Sequence, residues 1–202
     1  MNIIEIGANN GSNTANFSKN SNIWCFEPNP HYAKLLDEIF RNNPNVKVLQ
    51  KAVSDFNGKA YFYISVDGVS SSLNNLTEFA KSKTNIRYVD RVLVDVVRMD
   101  SFLTDNNINT IDYFHCDAQG ADLKILKSFG NKLHIIEKGK VEASLKDELY
   151  SDTSNNVNET IELLTNSGFE ILNLREIDMY KSDIYRYDCN IQFCKKNNKR
   201  LI

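Results

Sequence analysis

Short apolar runs alternate with stretches of helical period along the whole chain, the pattern of repeated βαβ units feeding a mostly parallel sheet. Residues 2–6 read as a buried strand that stops at Gly7, and a helix is expected from Ser12. Residues 23–26 predict a second strand, closed by Glu27-Pro28-Asn29-Pro30. Beyond it Tyr32, Leu35, Leu36, Ile39 and Phe40 recur at the spacing of one helical face, which Asn42-Asn43-Pro44 terminates. Residues 46–53 predict a third strand. The turn Asp55-Phe56-Asn57-Gly58 leads into residues 60–64, whose aromatics suit an added antiparallel strand.

Residues 67–85 are polar and weakly patterned, which fits either a lid over a substrate or a solvated loop. A strand over 91–98 and a short helix over 100–105 follow. Residues 111–117 predict a central strand, and Gly120 opens a helix that turns Leu123, Leu126 and Phe129 toward the sheet before Gly130 ends it. A fifth core strand is expected over 134–143, a helix over 158–167 ended by Gly168, and a closing strand pair from 169–174 and 190–193. No internal repeat or linker interrupts the pattern, so the 202 residues predict a single domain over 1–202.

Composition narrows the class. With 42% hydrophobic and 25% charged residues and only 3 Pro, the chain is neither a disordered tail nor a fibrous repeat. No apolar run approaches the roughly 18–20 residues of a membrane span, and no signal-like stretch precedes Glu5, so a cytoplasmic protein is expected. The formal charge of -2 lacks the basic excess of a phosphate-reading surface, and nucleic acid is not an expected partner. Cys25, Cys116, Cys189 and Cys194 have no metal-ligand spacing in a chain long enough to need no staples; buried reduced thiols and no metal site are expected.

The chemistry begins at Glu5-Ile6-Gly7-Ala8-Asn9-Asn10-Gly11, an acidic-x-Gly-x-x-x-Gly turn between strand and helix. Its glycines admit close backbone approach to a ligand, and the helix start offers unpaired N–H groups. The three-residue gap differs from the one-residue gap of the dinucleotide fingerprint, and the Glu5 carboxylate would repel a pyrophosphate. S-adenosylmethionine suits such a turn because it carries a sulfonium and an ammonium and no phosphate; a purely structural glycine turn is the alternative. Glu27 ends the second strand roughly twenty residues on, where an acidic side chain can accept both ribose hydroxyls of an adenosine cofactor. Its other reading is a carboxylate favoured by a helix N-terminus.

This first motif, with Thr14, and Phe26-Glu27-Pro28-Asn29-Pro30 resemble the FkbM-type methyltransferases. So do Ala52-Val53-Ser54-Asp55 with Gly58, Ser71-Ser72-Leu73 and Asp117-Ala118-Gln119-Gly120-Ala121-Asp122, in the same order over essentially the whole chain. Gln119 stands where the family commonly has Glu, and His115 where Lys is common. The resemblance implies a class I methyltransferase (Rossmann-like) fold, with a seven-stranded, mostly parallel sheet flanked by helices, and S-adenosylmethionine bound at the carboxyl ends of the strands. It places Glu5, Gly7, Ala8, Asn9 and Gly11 at the methionine end, Glu27 on the ribose, Ala52, Val53 and Ser54 by the adenine, and Asp117 beside the reacting centre.

The activity it implies is O-methylation of a hydroxyl on a sugar, glycolipid or polyketide-like acceptor. A proton must leave that hydroxyl as the methyl arrives, and Asp117, His115 and Glu142 are the candidate bases, with His31 a weaker one. His115 could equally be a hydrogen-bonded core residue, Glu142 a surface partner of Lys138 or Lys140, and Tyr61, Phe62 and Tyr63 a sugar-stacking strand or ordinary core. Two rival functions stand beside this one: an NAD-dependent oxidoreductase, and a binding module that keeps the cofactor fold without turnover.

Overall fold

The computed structural model describes residues 1–17, 19–146, 149–151, 153–176 and 188–196. Among them, seven strands form one sheet. In chain order these are β1 (Asn2–Ile6), β2 (Asn22–Phe26), β3 (Val46–Leu49), β7 (Tyr113–Cys116), β8 (Lys138–Ser144), β9 (Phe169–Glu176) and β10 (Asp188–Lys195). Their spatial order is β3-β2-β1-β7-β8-β10-β9, with β10 running antiparallel to both neighbours and the other pairings parallel. Three further strands, β4 (Ala52–Val53), β5 (Gly58–Ser65) and β6 (Tyr88–Val97), make a second sheet in the order β4-β6-β5.

Alternate residues of a strand point to opposite faces, so a strand buried on both sides must be apolar throughout. In β1, Ile4 and Ile6 enter one core cluster and Ile3 the other. The first cluster receives Phe102 and Leu103 from α4 (Met99–Asp105), Leu126 from α5 (Asp122–Ser128) and Leu164 from α6 (Val157–Asn166). The second receives Leu36 from α2 (Pro30–Phe40), which packs with Ile23 and Cys25. α1 (Ser12–Asn16) follows the first glycine turn, and α3 (Glu78–Lys83) lies in the polar stretch.

Several expectations shift. Residues 46–53 are not one strand: the chain leaves the main sheet after Leu49, and Ala52 and Val53 pair with Val96 and Val97 in the second sheet. The fifth core strand begins at Lys138, because residues Gly130–Ile135 coil into a 3-10 turn that contains His134. On α2 the buried positions are Ala33 and Leu36, while Ile39 is exposed. The polar stretch after Asp67 is no solvated loop, for Ser70, Ser71, Ser72 and Asn74 are buried and α3 is capped by the Thr77 hydroxyl on the Ala80 N–H. Cys25, Cys116 and Cys189 are buried and Cys194 is partly so, all four as free thiols.

The connections place the site. From β1 the chain moves outward to β2 and β3, whereas β7 leads to β8 on the other side, so the carboxyl ends of β1 and β7 flank the point where strand order reverses. A crevice opens at such a switch point because the loops there leave in opposite directions.

Phe26, fully buried and edge-on to Phe102, holds the end of β2 beneath this crevice. Phe26→Ala should cost about 3–5 kcal/mol of stability, whereas Ile39→Ala should stay within about 0.5 kcal/mol. Urea unfolding of the two variants checks both values.

Candidate active site

A cavity of about 450 Å³ occupies the crevice. Gly7, Ala8 and Asn9 from the turn after β1 line it, with Glu27 after β2, Ala52 and Val53 of β4, Asp117 after β7, and Glu142 of β8.

The turn after β1 is fixed by backbone bonds. The N–H groups of Gly7 and Ala8 both donate to the Phe26 carbonyl, at 3.0 and 3.2 Å, and the Gly11 N–H returns to Ala8 O. Gly7 has φ of 76°, and a Cβ built there would lie 2.0 Å from the Asp117 carbonyl oxygen, so both conformation and space require glycine. Asn9 is also left-handed, with φ of 48°. Its N–H donates to Glu27 Oε2 at 2.7 Å, while the Asn29 N–H donates to Glu27 Oε1 at 2.8 Å.

Glu27 thus ties the first turn to the start of α2, and each of its oxygens retains a lone pair for a ligand hydroxyl. Burial pushes its carboxyl up from 4.5 to about 7, against the lowering effect of the Asn29 and Asn9 hydrogen bonds, and the Glu5 charge adds to the rise. The folded state therefore holds this proton more tightly than the unfolded chain does. The corresponding stability is present at low pH and is lost as pH climbs through about 7.

In the same cavity wall Gln119, with φ of 49°, bridges two acids. Its Nε2 donates to Asp117 Oδ1 at 2.8 Å and to Glu142 Oε2 at 3.2 Å, and its Oε1 accepts from the Tyr150 hydroxyl at 2.8 Å. That hydroxyl sets which way the amide faces. Burial, then the charges of Asp117, Asp188 and Asp122, hold Glu142 well above the ordinary carboxylate range. Burial and Asp117 raise the Asp122 carboxyl as well.

Some predicted site residues lie elsewhere. In register across the sheet, Cys25, Glu5 and His115 are neighbours on β2, β1 and β7, so their side chains share one face, beneath α1. Glu5 is fully buried there, accepts from the Thr14 hydroxyl and lies 3.5 Å from His115 Nδ1. Neither Glu5 nor His115 lines the cavity. His115 shares Asp117's strand face only if the strand continues, and β7 ends at Cys116. Gly11 faces Leu36 and Phe40, and Ser54 is buried with its N–H on Val97 O. His31 is exposed.

Of the two readings of the polar stretch, the lid is the one that fits: Gly68, Val69, Ser70, Ser71 and Leu73 line the cavity with Phe62. Lys51 and Asn190 also line it, and no sequence signal singled them out. Among the described residues no group of three or more His, Cys, Asp or Glu could hold a metal ion, and no helix is long and apolar enough to cross a membrane.

The model for the methyltransferase FkbM domain matches residues 5–171. The chain belongs to the FkbM methyltransferase family. S-adenosylmethionine is the cofactor of this family, and the donor set fits it. A buried carboxylate with free lone pairs suits a ribose, and the turn of Gly7, Ala8 and Asn9 lines the cavity with it. The 2-O-methyltransferase NoeI of Sinorhizobium fredii is 26% identical over 134 residues, covering 61% of this chain and 55% of that protein. The FkbM chain therefore spans about half the length of the curated relative it matches.

Two fibrillarin structures share the class I fold. One, from Aeropyrum pernix with S-adenosyl-L-methionine bound, has a TM-score of 0.51 at 11% identity and covers 95% of this chain and 65% of that one. The other, in a complex with Nop5p, has a TM-score of 0.50 at 15% identity over 96% and 72%.

Glu27→Ala leaves two buried N–H groups without their acceptor and should lower the stability of the ligand-free protein by about 1–3 kcal/mol. It should also flatten part of the fall in stability between pH 4.5 and about 7. Denaturation at both ends of that range measures the two effects.

Proposed function

We propose that this chain is an S-adenosylmethionine-dependent O-methyltransferase, with residues 1–202 acting as one cytoplasmic domain on a hydroxyl of a small-molecule or glycan acceptor. The acceptor class is a sugar, glycolipid or polyketide-like molecule. The observation that carries the reading is one cavity whose wall holds both a buried carboxylate suited to a ribose, Glu27, and the paired acids Asp117 and Glu142. Oxygen as the receiving atom is supported by the relative named as a 2-O-methyltransferase.

When bound, the cofactor supplies a methyl group already activated on a sulfonium. What the chain must add is placement, exclusion of water and a destination for one proton. Gly7, Ala8 and Asn9 shape the methionine end, Glu27 accepts the ribose hydroxyls, and Ala52 and Val53 offer an apolar wall to the adenine. Asp117, half-buried and lining the cavity, orients the acceptor hydroxyl and takes its proton, with Glu142 as its partner. His115, which faces the sheet beneath α1, has no place in that step.

S-adenosylmethionine and S-adenosylhomocysteine should each raise the melting temperature, and NAD should not. Stabilisation by NAD alone would sink the reading in favour of an oxidoreductase. Asp117→Asn keeps the shape and loses the basicity; turnover should drop by roughly 10²–10⁴ while affinity for S-adenosylhomocysteine stays within a few-fold. His115→Gln should change turnover far less. A homocysteine-release assay across hydroxylated glycosides and lipids supplies both rates, and cofactor binding with no turnover on any of them would favour a non-catalytic module.

A further inference from the structure

The acid pair in the cavity wall is held together by a neutral group. One amide nitrogen, Gln119 Nε2, reaches both Asp117 and Glu142, and no positive charge takes part in those bonds. Glu142 is only 4% exposed and forms part of the cavity wall.

The charged groups acting on it are acids, while Lys51, exposed, also lines the cavity. Asp117 and the Cys116 thiol approach from β7 and its loop, Asp122 from α5, Asp188 from β10, and the Tyr150 hydroxyl from beyond Gln119. From α6 the inward residues Thr160 and Leu164 carry no charge, and Glu159 and Glu162 are exposed. On the shared sheet face Lys140 and His115 lie opposite each other in register, and neither lines the cavity. Burial among these acids holds the Glu142 carboxyl well above the ordinary carboxylate range, so it keeps a proton that it would lose in water.

Resting on the cofactor placement given above, we propose that the Asp117–Glu142 pair holds one proton which a bound sulfonium expels and a bound thioether does not. The site then gains its base only when the methyl donor is in place. If adenine lies at Ala52 and Val53 and ribose at Glu27, Asp117 and Glu142 are the acids of the cavity wall that would face the sulfonium. A positive charge there favours the doubly ionised pair.

The cycle balances. As the methyl group moves, the sulfur–methyl bond breaks and its electron pair stays on sulfur. An oxygen lone pair forms the new oxygen–methyl bond, and the hydroxyl proton passes to the ionised pair. The pair returns to its singly protonated state beside a neutral thioether, which it no longer attracts.

The device can be read without an acceptor. Calorimetric titrations of the full chain with S-adenosylmethionine and with S-adenosylhomocysteine, in buffers of different ionisation enthalpy between about pH 6 and 8.5, count the protons released. S-adenosylmethionine should release up to one proton from the protein, its affinity climbing by up to about tenfold per pH unit. The homocysteine form should release none beyond its own amine. Glu142→Gln should still bind both ligands and lose the extra release; because each ligand's own titration is common to wild type and variant, the difference isolates the pair.

Should Glu142→Gln fail to fold, Asp117→Asn must shrink the release in the same way. Equal release for the two ligands in the wild type, or an unchanged difference in the variants, overturns the proposal. If neither ligand binds at all, the cofactor reading itself falls.

Discussion

Everything about the cavity depends on how closely the backbone after β1 approaches the backbone after β7. Gly7 and Asp117 meet where a Cβ would stand 2.0 Å from a carbonyl oxygen, and the Asp117 N–H donates to Ile6 O at 3.1 Å. Because these neighbouring strands lead to connections on opposite sides, the loops part immediately beyond that contact. Any side chain at position 7 would wedge the loops apart and move Asp117 relative to Glu27. The separation of Glu27 from the acid pair is therefore governed by main-chain packing between the two loops.

The second constraint is charge. Glu5, Glu27, Asp117, Asp122, Glu142 and Asp188 gather around the carboxyl ends of the strands, and all but Asp117 are buried. Isolated carboxylates at such depth would be costly, and each is instead held by donors. Backbone amides serve Glu27 and Asp122, and hydroxyls serve Glu5 and Asp188. Asp117 and Glu142 share one neutral amide. An arginine or lysine in their place would satisfy the acids more strongly, but it would also repel a sulfonium. Neutral donors leave the negative potential in the cavity for a cationic ligand.

Where sequence signals were local, they were legible. Gly7, Glu27 and Asp117 each sit directly after a short apolar strand, so periodicity and turn chemistry located them. Glu5 and His115 do not line the cavity: Glu5 lies within β1 on the face under Thr14, and for His115 a strand's alternation does not say where the strand stops. β7 ends at Cys116, and the pleat that would join His115 to Asp117 ends with it. The break between Leu49 and Ala52 has only the polar pair Gln50-Lys51 to mark it, and a strand read straight through 46–53 joins two parts that pair in different sheets. Gln119 stood out only as a departure from a family pattern; its bridging of two acids depends on β7 and β8 being adjacent, a long-range pairing that no local window contains.

The polar segment from Asp67 to Asn74 carries the same lesson in another form, and it bears on what the site can recognise. Its hydroxyls are spent internally. The Ser65 and Ser70 hydroxyls donate to Asp67, that of Ser71 donates to Gly68 O, and that of Ser72 donates to Gln119 O at 2.7 Å. Asn9 Nδ2 donates to Gly68 O at 3.3 Å, so the segment is strapped to the turn after β1 as well as to the loop after β7. Composition predicts solvent exposure here because it counts hydroxyls without knowing their partners. Once those donors are committed, the segment presents Val69 and Leu73 to the cavity and has few donors left for a ligand. The polar side chains left to face the cavity opposite these apolar contacts include Asp117, Glu142 and Asn190.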